Sequence, residues 1–245
     1  MKALVLRLDA PLMSFGSVMI DQHGFTDRFP GTAMLTGLVA NALGWRHDQF
    51  EDLQRLQERI EYAARWDIQP QEMVDYHTVD LGQPKMREPG WTTRGVPEHR
   101  GGGEAKTGTH QRYRHYWADG LMTVVLGLKG EDNPDLETVR AALQRPVRPL
   151  FLGRKTCLPA RPLLDPFTPV VEGADLLTIL REVPVWTRDG KPRTGAAILL
   201  ACWPAELGVG EGGEIRQVYD RRDWANQIPA GSRWRAEGLL REVQP

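Results

Sequence analysis

The chain has 245 residues, 41% of them apolar, and its 31 Lys and Arg nearly cancel its 32 Asp and Glu. That composition supplies a core for one large domain or two small ones and argues against disorder of the whole chain. The formal charge of −1 favours no class of partner, so any anion site must be a local patch.

Cys157 and Cys202 are the only cysteines and form no CxxC, as in a cytosolic protein with two ordinary thiols. The first residues, MKALVLRLDA, are interrupted by Arg7 and Asp9 and precede no small-residue cleavage site, so they do not read as a signal peptide. No apolar run has the length of a membrane span, and the chain is expected to be soluble and cytoplasmic, without a membrane partner.

Residues 2–8 alternate, with Leu4, Leu6 and Leu8 on one face, and read as a strand. After PLMSFG, residues 32–43 place Met34, Leu35, Leu38, Val39, Ala42 and Leu43 at helical spacing, stopped by Gly44. A more polar helix runs through Phe50, Leu53, Leu56 and Ile60, and IEYAARWDI has strand composition. DYHTVDL at 75–81 and GLMTVVLGL at 120–128 read as two further strands. The helix NPDLETVRAAL follows, with acids in its first turn. This order suits a ferredoxin-like or RNA-recognition-type sheet for residues 1–147. Residues 148–245 read as a smaller β-rich unit, with a helical stretch ADLLTILREV, a strand AAILLACW and a tail rich in Trp and Arg. The fold class is therefore α+β.

The connection 82–115 carries Lys85, Arg87, Arg94, Arg100, Lys106, Arg112 and Arg114, with Trp91, Tyr113, Tyr116 and Trp117 among or just after them. Cations for phosphates interleaved with rings that stack on unpaired bases are what single-stranded RNA requires, and a solvated basic loop is the bland alternative. His77, His99, His110 and His115 lie in or beside it. With Tyr76 and Lys106 they bring in view metal-independent RNA cleavage by general acid and base, beside the plainer reading of solvated surface imidazoles. No HxxxH or nearby Cys supports a metal, and no GxxxxGKS/T supports a nucleoside triphosphate. No cofactor is expected.

RPVRPLFLGRKTCLPARPL at 145–163 holds four Arg, one Lys and four Pro but no acid. The prolines make a stiff turn around Gly153, Arg154 and Lys155. Gly153 allows close approach to a phosphate, Arg154 can grip two of its oxygens, and Lys155 adds a point charge, with Arg148 in the same patch. A rigid crossover with Phe151 and Leu152 packed inward is the alternative.

Taken in order, PLMSFG, GFTDRFPGTAMLTGLVANALGW, VDYHTVDL, HQRYRHYW, PLFLGRKTCLPARPL and RQVYDRRDW resemble the CasD family of type I-E CRISPR Cascade subunits, the e-type branch of the Cas5 proteins. The resemblance spans nearly the whole chain. It implies a non-catalytic subunit with a modified ferredoxin-like (RNA-recognition-type) domain that caps the 5′ handle of the CRISPR RNA. Residues 82–112 take the place of a thumb laid over the guide. By position it implies RNA contacts at Arg28, Tyr76, His77, Arg112, Arg148, Gly153, Arg154 and Lys155. The implied partners are CRISPR RNA, the backbone subunit CasC and the large subunit CasA, with CasB, CasE and target DNA met through the complex. A related subtype uses its version of this fold as the endoribonuclease that processes precursor RNA, which is the alternative function for this chain.

Overall fold

The computed structural model describes residues 1–17, 19–80, 90–91, 97–98, 109–191, 193, 198–210 and 212–241. From the N-terminus, β1 (Lys2–Asp9) leads through the short strands β2 (Leu12–Met13), β3 (Met19–Ile20) and β4 (His23–Gly24) to the helices α1 (Thr32–Leu43) and α2 (Phe50–Arg59). Next come β5 (Ile60–Ile68), β6 (Gln71–Asp80), the paired short strands β7 (Gly90–Trp91) and β8 (Pro97–Glu98), β9 (Thr109–Ala118) and β10 (Leu121–Leu128). The chain continues with α3 (Leu136–Gln144), β11 (Val170–Glu172), α4 (Leu176–Glu182), β12 (Ile198–Pro204), β13 (Glu214–Val218), β14 (Arg222–Asp223), β15 (Ile228–Pro229) and β16 (Arg233–Arg241). It is a mixed α and β structure, as its hydrophobic periods predict.

Seven strands form one sheet in the order β11-β1-β10-β5-β12-β16-β13, with every neighbouring pair antiparallel. Both faces are covered. Leu4, Leu6, Leu8, Met122, Val124 and Leu126 pack under α1 and α3, while Ala3, Val5, Ala63 and Val125 pack under α4 through Leu176, Ile179 and Leu180. Each buried side chain of that size stabilises the fold by roughly 1.5–3 kcal/mol. Burial on both faces is why β10 reads as an unbroken apolar run rather than an alternation. The chain beyond residue 148, expected as a smaller β-rich unit, places β12, β16 and β13 in this same sheet, with β12 hydrogen-bonded to β5.

One polar residue of β1 is enclosed. Arg7 meets Asp165 at 2.8 Å and Asp67 at 3.1 Å and also donates to the Thr123 hydroxyl, with all four residues buried. A buried charge is tolerated when paired and hydrogen-bonded in this way.

The helix ends follow from capping. Gly44 closes α1 in the left-handed conformation, at φ +82°, with its N–H on the Ala40 and Asn41 carbonyls. At the other end no local side chain caps α1; the carboxylate of Asp220 accepts from the Thr32 N–H at 3.1 Å instead. Asp135 caps α3 locally, accepting from the Thr138 N–H at 2.8 Å.

A second sheet projects from the first. β6 and β9 pair antiparallel from Gln71↔Ala118 to Asp80↔Thr109, and β2 and β4 line the other edge of β9, with β3 outside β4. The segment expected as a thumb, 82–112, lies largely outside the described residues; within it β7 pairs β8, and 109–112 belong to β9.

Candidate nucleic-acid interface

The basic turn after α3 is closed by its own backbone. The Cys157 N–H donates to the Arg154 carbonyl at 2.8 Å, the Leu152 N–H to the Cys157 carbonyl at 2.7 Å, and the Ser14 N–H to the Leu152 carbonyl at 3.1 Å. Leu152 and Cys157 are buried beneath it, and burial pushes the Cys157 thiol up from its ordinary pKa. Gly153 is left-handed, at φ +94°, and a Cβ there would stand 1.5 Å from the Ser14 carbonyl oxygen. The close approach that this glycine permits is that of the chain's own backbone.

Arg154 is engaged in the same assembly. Its Nη1 donates to the His115 carbonyl at 3.0 Å and its Nη2 to the Gly24 carbonyl at 2.8 Å, with its guanidinium 4.6 Å from the centre of the Tyr116 ring. Lys155 is exposed. Arg148 donates to the carbonyls of Gly44 at 2.8 Å and Trp45 at 2.7 Å, satisfying acceptors just past the end of α1.

These residues share a groove of about 1240 Å³. Its floor is the small-residue face of α1, with Ala33, Gly37 and Ala40, and Arg148, Gly153, Arg154 and Lys155 form one wall. Arg46, His47 and Arg222 add further basic groups, against Asp48 as the acid among the lining residues. The Arg46 side chain makes an exposed contact with Asp48 at 3.3 Å, which holds it weakly. The groove is thus cationic in a chain of nearly zero net charge.

Tyr76, His77 and Arg112 lie elsewhere, on the β6–β9 hairpin. The register pairs Tyr76 with Tyr113 and Val74 with His115, whereas His77 faces Arg112 and Asp75 faces Arg114. Directly opposed residues share a face and neighbours alternate, so His77 and His115 are on opposite faces. His115 Nδ1 meets Glu72 Oε1 at 2.7 Å, and His77 Nε2 bonds the carboxylate of Asp75. The Tyr76 face is a ladder of rings: Tyr76 to Tyr113 at 4.9 Å, Tyr113 to His23 at 4.7 Å and nearly parallel, and His23 to Phe25 at 5.6 Å. Arg112 donates to the Asp21 carbonyl at 3.1 Å.

Arg28 joins neither group; it pairs with Glu237 of β16 at 3.2 Å. Among the described residues no group of three or more His, Cys, Asp or Glu side chains could hold a metal ion, and no helix is long and apolar enough to cross a membrane. The groove also draws in Trp224 and Arg222 from RQVYDRRDW, a stretch with no local mark of a binding site, which the C-terminal fold brings beside α1.

Comparison with known proteins bears on this arrangement. Residues 3–236 match the family described as CRISPR-associated protein (Cas_Cas5). The chain is 31% identical over 168 residues to the CRISPR system Cascade subunit CasD of Escherichia coli (strain K12), covering 65% of this chain and 68% of that relative. Among solved structures it is similar to a chain of a CRISPR RNA-guided surveillance complex, with a TM-score of 0.65, 23% identity and coverage of 98% of this chain and 90% of that one. It is also similar to a crystal structure of a Cas protein, with a TM-score of 0.59, 25% identity and coverage of 99% and 95%. With the family match running across nearly every element described, the chain belongs to the Cas5 family of CRISPR-associated proteins.

Proposed function

We propose that this chain is a non-catalytic CRISPR RNA-binding subunit of a type I-E Cascade complex, holding the 5′ handle of the guide in the groove between α1 and the LGRK turn. The observation that carries this reading is that Arg148, Arg154 and Lys155, with Arg46 and Arg222, converge on one groove in a chain of net charge −1. Lys155 and Arg46 supply exposed charge for phosphates, while Arg154 and Arg148, bonded to carbonyls, hold the wall in place. The similarity to Escherichia coli CasD supports placement in Cascade, with CasC and CasA as neighbours and CasB, CasE and target DNA met through the complex.

The core fits the role. β1, α1, β5, β10, α3 and β11 form a βαββαβ run with strand order β11-β1-β10-β5, all antiparallel, which we read as a ferredoxin-like (RNA-recognition-type) domain. The β6–β9 hairpin and the residues it brackets form an insertion suited to a thumb over the guide, with Tyr76, His77 and Arg112 at its base. His77 and His115 lie on opposite faces, each beside a carboxylate, which argues against these two acting together as the acid and base of a nuclease.

The test is salt-dependent binding of RNA that carries the handle. Two phosphate contacts, at Lys155 and Arg46, give a slope of log affinity against log salt of roughly −1.4 for a single strand. A flat salt dependence, with no preference for the handle over an unrelated strand, refutes the reading.

A further inference from the structure

One wall of the groove holds donors that a grip on phosphates leaves unused. Trp224 is 5% exposed and packs with Ala40 and Leu53 beside Gly37 of α1. Its Nε1–H is buried and has no hydrogen-bond partner. The Arg222 guanidinium stands 5.5 Å from the centre of the Trp224 ring; its Nη2 donates to the Gln227 carbonyl at 2.7 Å, but its buried Nε–H also has no partner. Both groups donate only. Leaving a buried donor unpaired is costly, so two on one wall of a groove point to an occupant that brings acceptors.

The remaining shape narrows the occupant. Beside these donors the lining is apolar, from Ala33, Gly37, Leu38 and Trp45, which suits a flat ring rather than a phosphate. Arg222 also borders a second hollow of about 600 Å³.

We infer that this end of the groove is a pocket for one unpaired base of the bound RNA, which enters with a carbonyl edge toward Trp224 Nε1–H and Arg222 Nε–H. Uracil, cytosine and guanine present carbonyl oxygens. A carbonyl oxygen has two lone pairs and can take both donors at once, whereas adenine has no carbonyl and each of its ring nitrogens accepts only one, which leaves a donor unpaired. The pocket therefore discriminates against adenine. This inference rests on the reading of the groove as an RNA site.

The test uses the full-length chain with single-stranded octamers of uridine or adenosine at fixed salt. The wild type binds the uridine octamer more tightly, by about tenfold, the scale of a buried donor left unpaired. Trp224→Phe keeps a ring but removes the N–H. It brings the ratio to about one by weakening the uridine octamer alone, with the salt slope unchanged. Arg222→Lys, which keeps the charge and moves the donor, shifts the ratio the same way and serves if Trp224→Phe does not fold. A wild-type preference for adenosine, or equal weakening of both octamers in either folded variant, overturns the pocket. Absence of salt-dependent binding to either octamer overturns the RNA reading of the groove instead.

Discussion

Arg154 reaches the Gly24 carbonyl at 2.8 Å through space that a side chain at Gly24 would take, since a Cβ there would lie 3.0 Å from the Arg154 Nη2. One guanidinium thereby joins the groove wall to the β4 and β9 strands of the hairpin sheet. A basic residue that looks suited to phosphate is in this way also a structural tie between the two surfaces proposed to meet RNA.

Arg154→Ala removes two bonds to carbonyls and the stacking on Tyr116, and is expected to cost about 2 kcal/mol. For a chain of this length that lowers the thermal midpoint by roughly 4–8 °C. Arg154→Lys restores the charge but not the fork, so it recovers less than half of the loss. Thermal melts of the three proteins decide the matter: full recovery by lysine would mean that charge, not geometry, is what position 154 supplies.

Lys155→Ala gives the opposite profile. The side chain is exposed, so stability stays within about 0.5 kcal/mol of wild type. Binding to handle RNA weakens, and the magnitude of the salt slope falls by roughly 0.7, one phosphate contact on a single strand. An unchanged slope would remove Lys155 from the interface.

The elements legible in the sequence are those whose own residues carry a period or a cap. Residues 32–43 place their apolar groups on one face and end at Gly44, and β1, β5 and β10 read as strands for similar local reasons. β9 is harder to see, because THQRYRHYWA sits in the second sheet with exposed cations beside stacked rings and shows no clean alternation. The Asp220 cap on α1 comes from 188 residues away and leaves no local mark. The groove is half legible: its basic turn stands out as a patch without acids, but Arg222 and Trp224 reach it only through the folding of the C-terminal strands. Gly153 shows the limit of residue type alone, since its bare backbone serves a contact with Ser14.

Gly153→Ala tests that contact. The substituted Cβ meets a backbone oxygen, which cannot rotate away, and the left-handed φ adds strain of order 1–3 kcal/mol. The variant is expected to lose at least 3 kcal/mol, visible as a lower urea midpoint, together with RNA affinity. Retained stability would mean that the turn can move off Ser14 without harm.

Incubation of the purified chain with precursor repeat RNA in a chelator is expected to leave the RNA intact. General acid and base catalysis needs both groups within hydrogen-bond reach of one phosphodiester, and His77 and His115, on opposite faces of the hairpin, do not form such a pair. Site-specific cutting lost in both His77→Ala and His115→Ala would establish the nuclease in place of the binding subunit.

The Arg7 network predicts how acid acts on the fold. Burial raises the pKa of Asp165, but N–H donors from Thr168 at 2.8 Å and Phe167 at 2.9 Å, together with Arg7, outweigh it and hold the carboxyl below its ordinary range. A lowered carboxyl pKa means that the charged form stabilises the fold. Its contribution is complete above the unfolded-state value of about 3.9 and is lost as pH falls through the lower folded value. Asp165→Asn keeps the shape but leaves Arg7 with Asp67 as its one remaining carboxylate, at an expected cost of about 2 kcal/mol at pH 7. That gap between wild type and variant is expected to hold from pH 7 to pH 5 and to narrow below about pH 4, as the wild type loses what the variant already lacks. Urea midpoints at pH 7, 5 and 3.5 measure it; a gap independent of pH would show that Asp165 stabilises the fold through its hydrogen bonds rather than its charge.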